Sequence, residues 1–251
     1  MENELIYCTN KPDKSIDDFV ESFWMLDNQS EIDKEIVVLP DGRIDLFFSY
    51  SNIEPFHCTL IGLETAPTQI QFSAQTKTFA ISFKLLASEY VLKTAITDLI
   101  NEAKILPNDF WDFTQDDLNN FDEFCSKSTT KIHKLLNKKV DERKLQLFNL
   151  IYQTQGSATV KELSEKVFWT SRQINRYFNN QFGISLKTYC NILRFRASFQ
   201  HIKDGKLFPE MNFADQSHFI KEVKKFAGVI PKDLSKNKND RFIQFSTLTT
   251  K

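Results

Sequence analysis

The chain has 251 residues, 41% of them hydrophobic and 26% charged, with a net charge of −1. That is ordinary globular composition, with enough chain for one large or two small domains, and it excludes a disordered or fibrous protein. No run of about 18 apolar residues is present, so no membrane-spanning helix and no membrane partner are expected.

The opening residues, MENELIYCTNKPDKS, lack a basic region followed by an apolar one, so no secretory leader is expected. Cys8, Cys58, Cys125 and Cys190 are far apart and form no C-x-x-C pair. Reduced thiols in a cytoplasmic protein are the expectation. Residues 15–26, SIDDFVESFWML, read as partly helical. EIVVLPDGRIDLFFSY then holds two β-rich runs, 35–39 and 43–50, around the turn Pro40-Asp41-Gly42. FHCTLIGL, TQIQFSA and KTFAISFKLL follow as further strands, which predicts a small antiparallel sheet or barrel. SEYVLKTAITDLINEA reads as partly helical, and Pro107 then interrupts the chain.

From about residue 114 the pattern becomes helical. Ile132, Leu135, Leu136 and Val140 are spaced for one amphipathic helix, and Leu145, Phe148, Ile151 and Tyr152 for another, with Gly156 as its stop. Thr159 with Glu162 forms a capping box ahead of a short helix whose inner side is Val160, Leu163 and Val167. After the break Phe168-Trp169-Thr170 a second helix begins, with Thr170 as its N-cap. Helix, short turn and helix make a helix-turn-helix pattern. The division that follows is a β-rich domain over 1–113, a helical linker over 114–140, a helical domain over 141–235 and a tail over 236–251. The fold class is α+β for the first domain and all-α for the third, with two helix-turn-helix units. The tail DRFIQFSTLTTK alternates after a loose SKNKN segment, which leaves two readings, a strand added to the N-terminal sheet, the favoured one, or a dangling end.

The second unit emerges from a repeat. A shift of 45 positions lays TSRQINRYFNNQFGISLKTY (170–189) on DQSHFIKEVKKFAGVIPKDL (215–234). Thr170 meets Asp215, Ile174 meets Phe219, Phe178 meets Val223, and Gly183 meets Gly228, each in a helix-ending place. SLKTYCNILRFRASFQHIKDG between them reads as one long helix. In the first copy Ile174, Phe178 and Phe182 form an apolar stripe. Arg172, Asn175, Arg176 and Asn179 share the opposite face, which carries no carboxylate. The plain alternative is a solvated face, but most of those mix signs and make i,i+4 ion pairs. A face of donors and amides suits a major groove, where Arg pairs with guanine and Asn or Gln with adenine. Charge agrees. Residues 157–251 hold 17 Lys+Arg against 8 Asp+Glu, a net of +9, whereas residues 1–156 hold 15 against 25, a net of −10. The basic half points to a polyanion partner, and the acidic half to a domain able to compete with it.

At these residues the chain resembles the AraC/XylS-type family of bacterial transcription regulators. The resemblance covers roughly 145–234 and rests on LSEKVFWTSRQINRYFNNQFGISLKTYCNILRFRAS and on NFADQSHFIKEVKKFAGVIP. It implies a seven-helix domain with two helix-turn-helix units on double-stranded DNA. Base-facing roles fall to Arg172, Gln173, Asn175 and Arg176 in the first reading helix and to Gln216, Ser217 and Lys221 in the second. Asn179, Lys224 and Lys225 are assigned to phosphates. One departure is that KDGKLFPEMNFADQ is shorter than the matching family segment and contains Pro209, so the second unit's first helix is expected to be short or irregular. The N-terminal part more weakly resembles the sensor domains joined to such regulators, which implies a small-molecule effector or a homodimer and leaves RNA polymerase as a further partner.

Other chemistry is sparse. His57, His133, His201 and His218 show no metal-ligand spacing, and no Gly-rich phosphate loop, G-x-S-x-G elbow or H-E-x-x-H appears. No cofactor, metal or catalytic residue is expected, and the chain is read as a non-enzyme. Arg43 is a candidate holder of an anionic ligand if its strand face lines a barrel. Two alternatives stay open: a regulator acting mainly through protein contacts, with a degenerate second unit, and a β-barrel enzyme or binding protein with a basic helical appendage.

Overall fold

The computed structural model describes residues 5–206, 213, 215–238 and 241–246. They fall into two compact units. One lies within 1–34, 43–63 and 71–141, the other within 35–42, 64–70 and 142–251.

The first unit is built on an antiparallel sheet. Its strands are β1 (Leu5–Asn10), β2 (Val20–Asn28), β4 (Ile44–Tyr50), β5 (His57–Ile61), β7 (Thr76–Phe83) and β8 (Ala103–Leu106), in the order β1-β2-β7-β4-β5-β8. The remaining two strands, β3 (Lys34–Val38) and β6 (Thr68–Phe72), pair with each other separately and fall largely in the segments 35–42 and 64–70 of the second unit. The expected strands at 35–39, 43–50, 56–63, 68–74 and 77–86 are therefore all present. β1, β2 and β8 are strands that the sequence pattern did not mark, and for β2 the expectation was different, since 15–26 reads as partly helical. Asp13 caps a single turn, with its carboxylate 2.8 Å from the Ser15 N–H, and Val, Phe and Trp then extend into a strand flanked on both sides by partners. Propensity near Ser15 favoured a helix start, and pairing on both edges overrode it. In the segment 88–103 the helical content is one turn, α1 (Ala87–Tyr90), and a 3-10 turn at Thr97–Leu99.

Register fixes the core. Phe48 lies opposite Phe79 on one side and Cys58 on the other, so these residues share a face. Helix α2 (Phe121–Leu135) covers it, with the Phe124 ring 5.5 Å from Phe48 and 5.3 Å from Phe79, and Phe113 4.5 Å from Phe48. Val140 lies beyond the end of this helix. On the other face Trp24 and Phe47 meet edge-on at 5.0 Å across the small Ala80 between them.

The second unit is helical: α3 (Glu142–Gln153), α4 (Val160–Val167), α5 (Ser171–Phe182), α6 (Leu186–Ala197), α7 (Phe199–Lys203), α8 (Gln216–Ala227), α9 (Pro231–Lys236) and α10 (Ile243–Ser246). The expected single helix between the repeats is two, parted at Ser198, whose hydroxyl donates to the Phe195 carbonyl at 2.6 Å. One aromatic cluster lies under α5, where Phe148 is 5.8 Å from both Phe178 and Phe182, and Phe178 is 5.8 Å from Tyr189. A second gathers Phe195, Phe199, Phe226 and Phe245. No helix among the described residues is long and apolar enough to cross a membrane.

Candidate nucleic-acid interface

The helix-turn-helix geometry is assembled by local rules. Thr159 and Glu162 form a full capping box at the start of α4. The Thr159 N–H donates to the Glu162 carboxylate at 2.7 Å and its hydroxyl at 2.8 Å. These bonds hold the Glu162 carboxyl below the ordinary carboxylate range. Thr170 and Gln173 repeat the device at α5. Helix α5 then buries Ile174, Phe178 and Phe182 completely and ends at Gly183 with φ +72°, a left-handed residue that glycine adopts without steric cost.

The outer face of α5 carries the sequence-selected residues, and the structure separates them. Arg172, Arg176 and Asn179 are exposed. Gln173 is exposed as well, but its amide oxygen accepts from the Thr170 N–H at 2.9 Å and the Thr170 hydroxyl at 3.0 Å. Asn175 is half-buried, and its amide donates to the Ser171 carbonyl at 3.0 Å. Beside them Trp169 turns inward, with its ring 5.6 Å from Tyr177 and the Arg143 guanidinium 5.3 Å above it. The Lys144 ammonium sits 4.8 Å over Tyr177.

The second copy reproduces the frame. Helix α8 has the same twelve-residue length as α5 and is offset from it by the repeat of 45. Asp215 caps it, accepting from the His218 N–H at 2.8 Å, and Gly228 ends it at φ +72°. Phe219, Val223 and Phe226 are buried. Gln216, Ser217, Lys221, Lys224 and Lys225 are all exposed. Two polar atoms one turn apart on α8, His218 Nδ1 and Glu222 Oε2, are buried with no hydrogen-bond partner among the described residues. The expected irregularity at 207–212, including Pro209, lies outside the described residues.

Sequence reasoning missed two long-range attachments inside this unit. The Tyr189 hydroxyl donates to the Gly42 carbonyl at 3.1 Å, and a Cβ at Gly42 would stand 3.0 Å from the Tyr189 ring. Over its described residues the tail adds no strand to the six-stranded sheet: it forms the short helix α10, Phe242 makes an isolated bridge to Val37 of β3, and the Gln244 amide accepts from Leu39 N–H and donates to Leu39 C=O, both at 3.0 Å. Residues 247–251 of the tail lie outside the described residues.

Away from the helices, Arg43 is buried, with Nη2 3.1 Å from the Glu21 carboxylate, so a carboxylate meets its charge. All four cysteines are free thiols. Burial pushes Cys190 up to about 12, and the Arg194 charge opposes this only partly. Among the described residues no group of three or more His, Cys, Asp or Glu side chains is placed to hold a metal ion.

Residues 9–104 match the family model of a domain of unknown function (DUF6597). No curated protein matches the chain. Among solved structures the chain is similar to ToxT from Vibrio cholerae, at 14% identity over 92% of this chain and 98% of that one, with a TM-score of 0.43. ToxT bound to (E)-4-(8-methylnaphthalen-1-yl)but-3-enoic acid matches at 13% identity over 92% and 98%, TM-score 0.43. ToxT with a bound unsaturated fatty acid matches at 12% over 92% and 95%, TM-score 0.40.

Proposed function

We propose that this chain is a sequence-specific DNA-binding transcription regulator of the AraC/XylS type. Helix α5 enters the major groove as the main reader, and α8 enters the next groove about one turn, ~34 Å, away. The observation that carries the reading is the outer face of α5. It presents Arg172 and Arg176 to solvent with no carboxylate among them, on a helix capped at both ends and anchored by three fully buried side chains.

The roles then differ by residue. Arg172 and Arg176 read guanine bidentately, because a guanidinium fork matches O6 and N7. Gln173 and Asn175, held by bonds within α5, stiffen the reading helix and approach bases only by giving up those bonds. Asn179, Lys224 and Lys225 hold phosphates. Gln216 and Ser217 stand in the first turn of α8, where base contacts are made in this docking mode. Lys221 adds a point charge with less directional content than an arginine. The sheet unit, together with the helix α2 that covers its core, acts as a sensor or dimerisation module attached to the reading domain.

The test is selection from a random duplex pool by the full-length protein near 0.15 M salt. The expected result is a motif with two half-sites about 10 base pairs apart. Binding should fall steeply with salt, since ~6–10 phosphate contacts cost about 10³–10⁵ in affinity between 50 and 200 mM. A single short half-site would assign α8 to backbone contact alone. Affinity that is flat across salt would overturn the reading in favour of a regulator acting through protein contacts.

A further inference from the structure

Phe168, in the turn of the first helix-turn-helix, breaks two local rules at once. It follows α4 with φ +54° and ψ 34°, in the left-handed region that disfavours a β-carbon. Elsewhere among the described residues of the helical unit, positive φ is taken by glycine at 42, 156, 183, 205 and 228 and by the polar Gln155 and Asn237, so Phe168 is the large apolar side chain held there. Phe168 is also 87% exposed, more than any other large hydrophobic side chain in the described residues. The turn does not need its ring. Trp169 anchors it inward against Tyr177, and the Thr170–Gln173 capping box sets the start of α5. Glycine at this position would relieve the backbone and remove exposed apolar surface. A strained, unpacked aromatic is what a contact outside the folded chain accounts for.

Its position says which contact. Phe168 lies two residues ahead of the Thr170 N-cap, at the end of α5 whose first turns carry exposed Arg172 and Gln173. In helix-turn-helix docking the N-terminal residues of the second helix meet the base edges. An apolar ring there has one matching feature in the major groove, the C5-methyl of thymine, with the neighbouring deoxyribose beside it. We infer that Phe168 is an apolar DNA contact that selects thymine at the edge of the half-site read by α5. This rests on the DNA-reading function proposed above.

Three full-length proteins test it: the natural chain, F168G and R172A. Thermal unfolding, duplex selection and salt-dependent affinity are measured for each. F168G is expected to melt at the same temperature or higher, since glycine suits the turn. It should bind the selected duplex about tenfold more weakly. The thymine preference at one flanking position should disappear while the rest of the motif survives. The slope of log affinity against log salt should not change, because an apolar contact releases no counterions. A lower melting temperature would make Phe168 a packing residue and overturn the proposal. So would unchanged affinity and base preference. If R172A loses the motif and F168G does not, only the Phe168 assignment fails. If neither variant changes binding, the DNA reading fails with it.

Discussion

The two reading helices have the same length, the same left-handed glycine stop and positions offset by the repeat of 45, yet they are secured differently. Around α5 almost everything needed lies between Glu142 and Ala197: two capping boxes, the Phe148–Phe178–Phe182 cluster and a left-handed glycine. Around α8 the frame draws on distant chain. Phe226 stacks on Phe195 at 5.3 Å, Phe195 meets Phe199 edge-on at 4.9 Å, and Phe199 meets Phe245 of the tail at a tilt, 5.1 Å away. The tail in turn is bridged to β3. Pro67, from the first half of the chain, lies 3.5 Å from where a Cβ at Gly228 would stand. His218 Nδ1 and Glu222 Oε2 of α8 are buried with no partner among the described residues, whereas no side-chain atom of α5 is in that state. A repeat in sequence therefore yields one unit held mostly by nearby residues, with Tyr189 to Gly42 as its long-range tie, and one that draws more heavily on distant chain.

The largest effect should come from the aromatic core of the first unit. Phe178→Ala removes a fully buried ring and is expected to cost about 3–5 kcal/mol in chemical denaturation. DNA affinity should fall with it, because Phe178 also packs on Tyr189. A much smaller loss would mean that α5 is not held by its local cluster, and the contrast would fail.

Gln244→Ala probes the dependence of the second unit on distant chain. It strips both backbone groups of Leu39 of their shared partner, and leaving them unmet costs about 1–3 kcal/mol in the unfolding free energy. Hydrogen exchange should show the added opening concentrated in α7–α10, with α5 unchanged. Faster exchange in α5 alone would reverse the assignment.

Arg172→Ala and Lys221→Ala compare reading power. Arg172→Ala should cost about 1–3 kcal/mol of binding and relax specificity at one position. Lys221→Ala should weaken binding on all sequences alike and lower the salt slope by about 1. A position-specific loss for Lys221→Ala would make α8 a reader of equal rank.

The caps give the smallest effect. Thr170→Ala and Asp215→Ala should each cost about 1 kcal/mol in thermal or denaturant unfolding. The Thr170 variant should lose slightly more, because its hydroxyl and N–H also hold Gln173 in place. Equal losses would say that the reciprocal half of the capping box contributes little.

What was legible in the sequence follows the range of the interaction. Caps at Thr159, Thr170 and Asp215, stops at Gly156, Gly183 and Gly228, and the buried stripe of Ile174, Phe178 and Phe182 are set within four residues of one another. Backbone groups at helix ends and one helical period have signatures in adjacent letters, and all these elements fall where the pattern put them. The exposed set on α5 was legible for the same reason, as the complement of the stripe. Engagement of Gln173 and Asn175 within their own helix was not, because an amide that suits a base suits a cap or a carbonyl equally well. Residues 20–28 became a strand only because neighbours pair with both edges. Leu39 and Gln244, 205 positions apart, met only once the chain had folded. Pairs of that kind are chosen by complementarity across the folded molecule, which no window of sequence contains.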